Sequence, residues 1–192
     1  MRMNDINIKK FFDNKIIIFY NKKFSDHRGF FFNLFNEKIF GKYLNKIKFV
    51  QDNISFSKKI NTIRGLHFQI PPHNQAKLIF VLEGEILDVV VDINPNSKYF
   101  GKSKMFKLDS KKNNSLFVSD DFAHGFCTLK KNTKVLYKVS KYYNPKSERT
   151  IIWNDKSLLI NWPFKKKPFL SEKDKVAQDF NSLFKTFNLF KK

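Results

Sequence analysis

Residues 62–93 read TIRGLHFQIPPHNQAKLIFVLEGEILDVVVDI. Three runs rich in branched and aromatic side chains, 62–69, 76–84 and 85–93, are divided by PPHN and by EGE, which is the punctuation of consecutive β-strands. Strict alternation along the first run puts Arg64 and Leu66 on one face and Gly65, His67 and Gln69 on the other. In the second run Lys77 shares a face with Ile79 and Val81. An ammonium group among such neighbours implies a pocket that receives it.

Outward from this stretch, 48–57, 102–109, 114–119, 123–130 and 133–143 have the same character, with turns at NPNS and KKNN. About eight short strands in a regular turn rhythm predict an all-β sandwich or barrel. The segment before residue 24 reads as an arm with at least one further strand, free to pack on its own barrel or to cross to a second subunit. After residue 165 the period changes. Ser171 can cap a helix, and Val176, Phe180, Phe184 and Phe187 then recur on one helical face. With no internal repeat or linker, residues 1–192 are expected to form one domain: an arm over about 1–23, a barrel over 24–165 and a helical segment over 171–190.

Composition narrows the classes. The chain has 192 residues and no apolar run near the roughly 18 residues that a membrane helix needs. IIIFY at 16–20 is too short for that or for a signal-peptide core, so a soluble, cytoplasmic protein with no membrane partner is expected. A lone cysteine, Cys127, leaves no internal disulfide and no multi-cysteine metal site. The net charge of +20 raises the idea of a polyanion partner. However, of 37 basic residues only Arg2, Arg28, Arg64 and Arg149 are arginine, and the lysines are scattered among abundant Asn, Ile and Phe. These residue types share A/T-rich codons, so the charge reads as composition drift on a solvated surface, and no nucleic-acid partner is expected. Against that background a retained arginine marks a place where the planar, five-donor guanidinium is needed for a carboxylate or phosphate.

Read singly, the polar residues have ordinary explanations. A strand histidine is commonly a satisfied core residue, strand tyrosines pack, and Asp174, three residues after Ser171, suits the acidic position of a helix cap. Together they form a recognisable set. DHRGFFFNLFN, QDNISFS, IRGLHFQIPPHNQAKLIFVLEGEILDVVVDINPNSKYFGK, FAHGF, LYKVSKYYNPKSERTIIWND, INWP and LSEKD resemble, in order and spacing, the dTDP-4-dehydrorhamnose 3,5-epimerase family of cupin-like sugar epimerases. The likeness runs from about residue 24 to 177.

The resemblance implies a double-stranded β-helix (jelly-roll) barrel, usually a homodimer, acting without cofactor or metal on a nucleotide-linked 4-keto-6-deoxy sugar. It makes His67 the base, Asp174 the carboxylate that orients it, Tyr137 the proton donor on the far face, and Lys77 and Arg64 the positive groups near the substrate. Substrate-binding positions then fall on Arg28, Gln51, Asp52, Asn53, Arg64, Lys77, His124, Glu148 and Lys173, with Tyr143 stacking on the base. Asn33 stands where the family has Glu, which keeps an acceptor oxygen but loses the charge and leaves nucleotide selectivity open. Tyr142 is expected to pack, and His73 to sit in an exposed loop.

Three other readings stay open. A cupin-type metal enzyme needs converging His and carboxylate ligands, and Gln69 stands where the second His of His-x-His belongs. A relative that epimerises one carbon or isomerises the ketone shares the base and the barrel. A non-catalytic carbohydrate or polyanion binder has no use for His67, Asp174 and Tyr137 together.

Overall fold

The computed structural model of the chain describes residues 6–44, 47–164 and 167–186. In chain order these form β1 (Asn7–Phe11), β2 (Ile16–Tyr20), β3 (Phe24–Asp26), β4 (Gly29–Phe31), α1 (Glu37–Phe40), β5 (Gln51–Ser57), β6 (Ile63–Gln69), β7 (Lys77–Glu83) and β8 (Glu85–Asp92). There follow β9 (Ser103–Asp109), β10 (Asn114–Val118), β11 (Phe122–Thr128), β12 (Thr133–Val139), β13 (Glu148–Thr150), a 3-10 turn (Lys156–Leu158), α2 (Glu172–Lys175) and α3 (Phe180–Thr186). None of the described helices is long and apolar enough to cross a membrane.

A six-stranded antiparallel sheet in the order β1-β2-β10-β7-β12-β5 faces a five-stranded one in the order β13-β6-β11-β8-β9. From β5 to β13 the chain passes from one sheet to the other at every step except the β8–β9 hairpin. This is the cupin-like jelly roll that the family resemblance implies, and it bears out the all-β barrel read from the strands. Alternating residues of both sheets meet in one core: Ile16, Ile18, Ile79, Val81, Leu116 and Val135 from the larger sheet, and Ile86, Val90, Phe106 and Phe126 from the smaller. Each such side chain contributes about 1.5–3 kcal/mol by leaving water.

The outer faces are also covered, which explains the unbroken apolar runs in two strands. Ile17 and Phe19 of β2 point outward under Phe40 and Leu44. Val89 and Val91 of β8 point outward under Leu158, Phe180 and Leu183. Buried on both sides, IIIF and VVV need no polar alternation. The segment read as an arm before residue 24 thus supplies two strands of the larger sheet, β1 and β2. Among the described residues β3 and β4 pair only with each other.

The C-terminal expectation needs correction. Ser171 does cap a helix, its hydroxyl accepting from Asp174 N, but that helix ends after one turn. Gln178 bridges to Ile151, and its carbonyl accepts from Ile152 N at 2.8 Å, so the chain is extended there before α3 begins. Val176 therefore stands 82% exposed, while Phe180 and Leu183 pack on the barrel and Phe184 lies against Phe68 and Phe100. Phe187 lies outside the described residues. β12 likewise stops at Val139, and Tyr142, expected to pack, is 69% exposed in the loop beyond.

The faces of β6 also depart from strict alternation. His67 stands opposite His124 and Arg64 opposite Phe126, so β6 carries one residue more than the stretch of β11 it faces. A one-residue bulge reverses parity, and Arg64 and His67 turn to the same side. Close approach of the two backbones fixes the bulge. A Cβ on Gly65 would lie 2.6 Å from Gly125 Cα, and one on Gly125 would lie 2.8 Å from the Arg64 carbonyl oxygen. Gly65 also holds φ at +123°, where L side chains are strained. Gly125→Ala is expected to destabilise the fold by about 1–3 kcal/mol, and Gly65→Ala by more because backbone strain adds to the clash. Denaturant unfolding of both variants measures this, and a neutral Gly65→Ala would show that the contact is slack.

Candidate active site

The two sheets splay at one end around a cavity of about 580 Å³. Its floor is the barrel core itself, at Ile79, Phe126 and Val135. One wall is the smaller sheet, with Arg64 and His67 of β6, His124 of β11 and Glu148 of β13. The opposite wall is the larger sheet, with Lys77 of β7 and Tyr137 of β12. The 169–174 segment closes one side with Phe169, Leu170, Lys173 and Asp174, and Tyr143 stands at the rim. The fold thus brings together nine of the residues singled out in the sequence.

His67 Nε2 lies 2.6 Å from Asp174 Oδ1. Ser171 Oγ donates to the second carboxylate oxygen at 2.8 Å and accepts from Asp174 N at 3.2 Å. Asp174 is therefore both the acidic partner of the Ser171 cap and the partner of the histidine, and its two readings coexist. Burial lowers the His67 pKa, opposed by the Asp174 hydrogen bond and charge and assisted by Lys173 and Lys77. Burial alone would raise the Asp174 carboxyl, but His67, Ser171 and Lys173 outweigh it and hold the group below its ordinary value. A neutral imidazole that donates Nε2–H to this carboxylate keeps Nδ1 free to accept a proton.

Lys77 is almost wholly buried, with Nζ donating to the His67 carbonyl at 3.2 Å. Desolvation pushes its pKa down to about 8, resisted by the negative charges of Asp88 and Glu148. Burial raises the Tyr137 phenol, which Arg64 counteracts; the group is a proton donor at neutral pH. At the rim Glu148 joins the loop after β12 to helix α2. It accepts from Tyr143 Oη at 2.8 Å and from Lys173 Nζ at 2.6 Å. Burial would raise the Glu148 carboxyl, but Lys173, Tyr143 and His67 together hold it low.

Other residues read from the resemblance lie elsewhere. Arg28 is exposed on the β3–β4 hairpin, paired with Asp26 at 2.7 Å. Asn33 borders a separate small recess with Asn21, Lys22 and Phe24. On edge strand β5, Gln51 Nε2 donates to Asn53 Oδ1 at 2.7 Å. Alternation turns Asp52 to the outer face, where Lys138 Nζ takes it at 2.7 Å. Ser55 of the same strand does reach the cavity. His73 is half-buried and sits 3.1 Å from Asn144 Nδ2.

The sequence reading passed over Asp88, which is fully buried behind His124 with Oδ2 2.8 Å from His124 Nε2. Its signal is present in EILDVVVD, where one carboxylate interrupts the inward series Ile86, Asp88, Val90. Among the described residues no group of three or more His, Cys, Asp or Glu side chains is placed to hold a metal ion.

The family model described as dTDP-4-dehydrorhamnose 3,5-epimerase matches residues 14–182. A Shigella flexneri protein of that name is 43% identical over 166 residues, which cover 86% of this chain and 91% of the relative. A Bacillus anthracis dTDP-4-dehydrorhamnose 3,5-epimerase, solved with TDP and PPi bound, superposes with a TM-score of 0.88 at 39% identity and covers 92% of this chain and 100% of its own. A Legionella pneumophila dTDP-6-deoxy-D-glucose-3,5-epimerase, solved in complex with dTDP-4-keto-L-rhamnose, gives a TM-score of 0.88 at 36% identity over 92% of this chain and 94% of that one. Sequence similarity along nearly the whole length and the same two-sheet barrel agree: the chain belongs to the dTDP-4-dehydrorhamnose 3,5-epimerase family.

Proposed function

We propose that the protein epimerises dTDP-4-dehydro-6-deoxy-D-glucose at C3 and C5, forming dTDP-4-dehydro-L-rhamnose without a cofactor. The observation that carries this reading is the His67–Asp174 pair on one sheet wall and the Tyr137 phenol on the other, in one cavity. A 4-keto group acidifies the protons on both neighbouring carbons. His67 removes one of them, and Asp174 stabilises the imidazolium that forms. The electron pair left on carbon moves onto O4 as an enolate, whose growing charge meets the buried Lys77 ammonium. Tyr137 then gives its phenol proton to the opposite face of the carbon. The phenolate, held near Arg64, recovers a proton from water, and His67 returns its proton to solvent. The same cycle at the second carbon completes the reaction.

The nucleotide fits the rim. Lys173 offers an ammonium to the diphosphate, and the half-exposed Tyr143 ring offers a face to the base. The chain acts as a homodimer. Support comes from the exposed Phe30 and Phe31 on the hairpin and from Ile54 and Phe56 exposed along edge strand β5. A dimer in which this hairpin meets the neighbouring cavity also gives Arg28 and Asn33, which lie outside their own cavity, a place beside substrate.

Solvent-deuterium incorporation into dTDP-4-keto-6-deoxyglucose, followed separately at C3 and C5, tests the reaction. Exchange is expected at both carbons. His67→Ala should abolish it, and Asp174→Asn should lower kcat about 10²–10⁴-fold. Tyr137→Phe should still exchange protons while failing to invert. Exchange at one carbon alone would make the protein a single-site epimerase, and exchange in His67→Ala would remove the assigned base.

The pH profile of kcat/KM should be bell-shaped. His67 must be neutral to accept a proton and burial lowers its pKa, so the acid limb is expected below the ordinary imidazole range. Lys77 must be protonated to stabilise the enolate, so activity should fall as pH rises through about 8. Lys77→Gln is expected to lose this alkaline limb together with about 10²–10³-fold in kcat. An alkaline limb that persists in Lys77→Gln would contradict the role given to the ammonium.

A further inference from the structure

Asp88 is an expensive group where it stands. It is 0% exposed and faces the barrel core between Ile86 and Val90 of its own strand, with Phe106 and Phe126 directly opposite on the neighbouring strands. A carboxylate in such surroundings costs several kcal/mol unless it is paired. Among the described residues only one of its oxygens has a hydrogen-bond partner, His124 Nε2 at 2.8 Å. The other, Oδ1, is buried with no partner among them within hydrogen-bonding reach. A valine or leucine would fill this site at no such cost, so packing gives no reason for the carboxylate. Its neighbours do. His124 lines the same cavity as the buried Lys77 ammonium, and the Asp88 charge behind it favours the protonated form of that lysine.

We propose that Asp88 is a positioning residue for the reaction, fixing the His124 ring against the cavity wall and supplying the buried negative charge that balances the Lys77 ammonium. This rests on the function proposed above only in giving Lys77 its catalytic purpose; the burial of Asp88, its hydrogen bond to His124 and the cavity that His124 shares with Lys77 do not depend on it. The site then carries two histidine–carboxylate pairs with different duties. In one, Asp174 serves the base. In the other, Asp88 serves the cation that receives charge on O4.

The charged and titratable groups that share the cavity with Lys77 are Arg64 and His67 of β6, His124 of β11, Tyr137 of β12, Tyr143, Glu148 of β13, and Lys173 and Asp174 of α2, with Asp88 of β8 behind His124. Desolvation and Lys173 act to deprotonate Lys77, whereas Asp88 and Glu148 act to keep it charged. Burial raises the Asp88 carboxyl itself, and His124 and Lys77 act against that rise. Removing the Asp88 charge therefore lets Lys77 lose its proton at a lower pH.

Asp88→Asn, which keeps the shape and an acceptor oxygen for His124, is the test. Acetic anhydride labelling of Lys77 across a pH series, read by mass spectrometry, reports the midpoint of its titration. The midpoint is expected to fall by about one unit, and the alkaline limb of kcat/KM should move down with it. A midpoint that stays at the wild-type value would overturn the proposal, whatever happens to activity. If the midpoint moves while no epimerisation is detected in the wild type, the charge balance stands and the reaction assignment fails. Should Asp88→Asn not fold, His124→Gln retains the carboxylate. The Lys77 midpoint should then stay at or above the wild-type value, and a fall would equally overturn the proposal.

Discussion

The 2.6 Å hydrogen bond between His67 Nε2 and Asp174 Oδ1 joins residues 107 positions apart. One end belongs to a β-strand whose path is fixed by the contact of Gly65 with Gly125. The other belongs to a one-turn helix capped by Ser171. Neither element could orient an imidazole by itself. A strand histidine in an apolar wall would be neutral but free to turn, and a four-residue helix has little stability of its own. Joined, the ring is oriented by a carboxylate whose second oxygen is already engaged, so the imidazole has a single arrangement in which both groups are satisfied.

Around this bond the cavity separates charge by depth. The floor is the apolar core, and desolvation there lowers the proton affinity of His67 and Lys77 and raises that of Tyr137. Burial thus pushes the imidazole toward its neutral state and the phenol toward its protonated state, which are the states that the proposed proton transfer needs. Lys77 is the exception, because the role proposed for it needs the charged form, and two carboxylates act on it, Asp88 and Glu148. Nearer solvent, Glu148 links Lys173 of α2 to Tyr143 of the loop after β12, so the residues that would meet the nucleotide are braced through one carboxylate.

Much of this was legible in the sequence, and the failures have identifiable causes. Strand positions followed from turn chemistry and branched residues, and the inward lysine at position 77 was evident from alternation. Alternation misplaced Arg64 because a single extra residue in β6 reverses the facing of everything before it. Gly65 and Gly125, distant along the chain, create that bulge only when they meet in space. Helical spacing likewise joined Val176 to Phe180, although a bridge from Gln178 to Ile151 interrupts the chain between them. Asp88 was passed over for the opposite reason: the motif was visible, but the meaning of a lone carboxylate in an apolar strand depends on His124 and Lys77 arriving from other strands. Local pattern revealed the elements; the partners of charged groups came only from topology.

The central claim is that a pyranose sits between the His67 imidazole and the Tyr137 phenol with its ketone oxygen toward Lys77. A crystal structure with dTDP-6-deoxy-4-ketosugar or a stable 6-deoxy analogue bound tests this directly. The account predicts the sugar ring between the two walls, with C3 or C5 about 3–3.5 Å from a His67 ring nitrogen, the Tyr137 hydroxyl on the opposite ring face and O4 nearest the Lys77 ammonium. A sugar bound with both rings on the same side of it, or outside the cavity these residues share, would contradict the account.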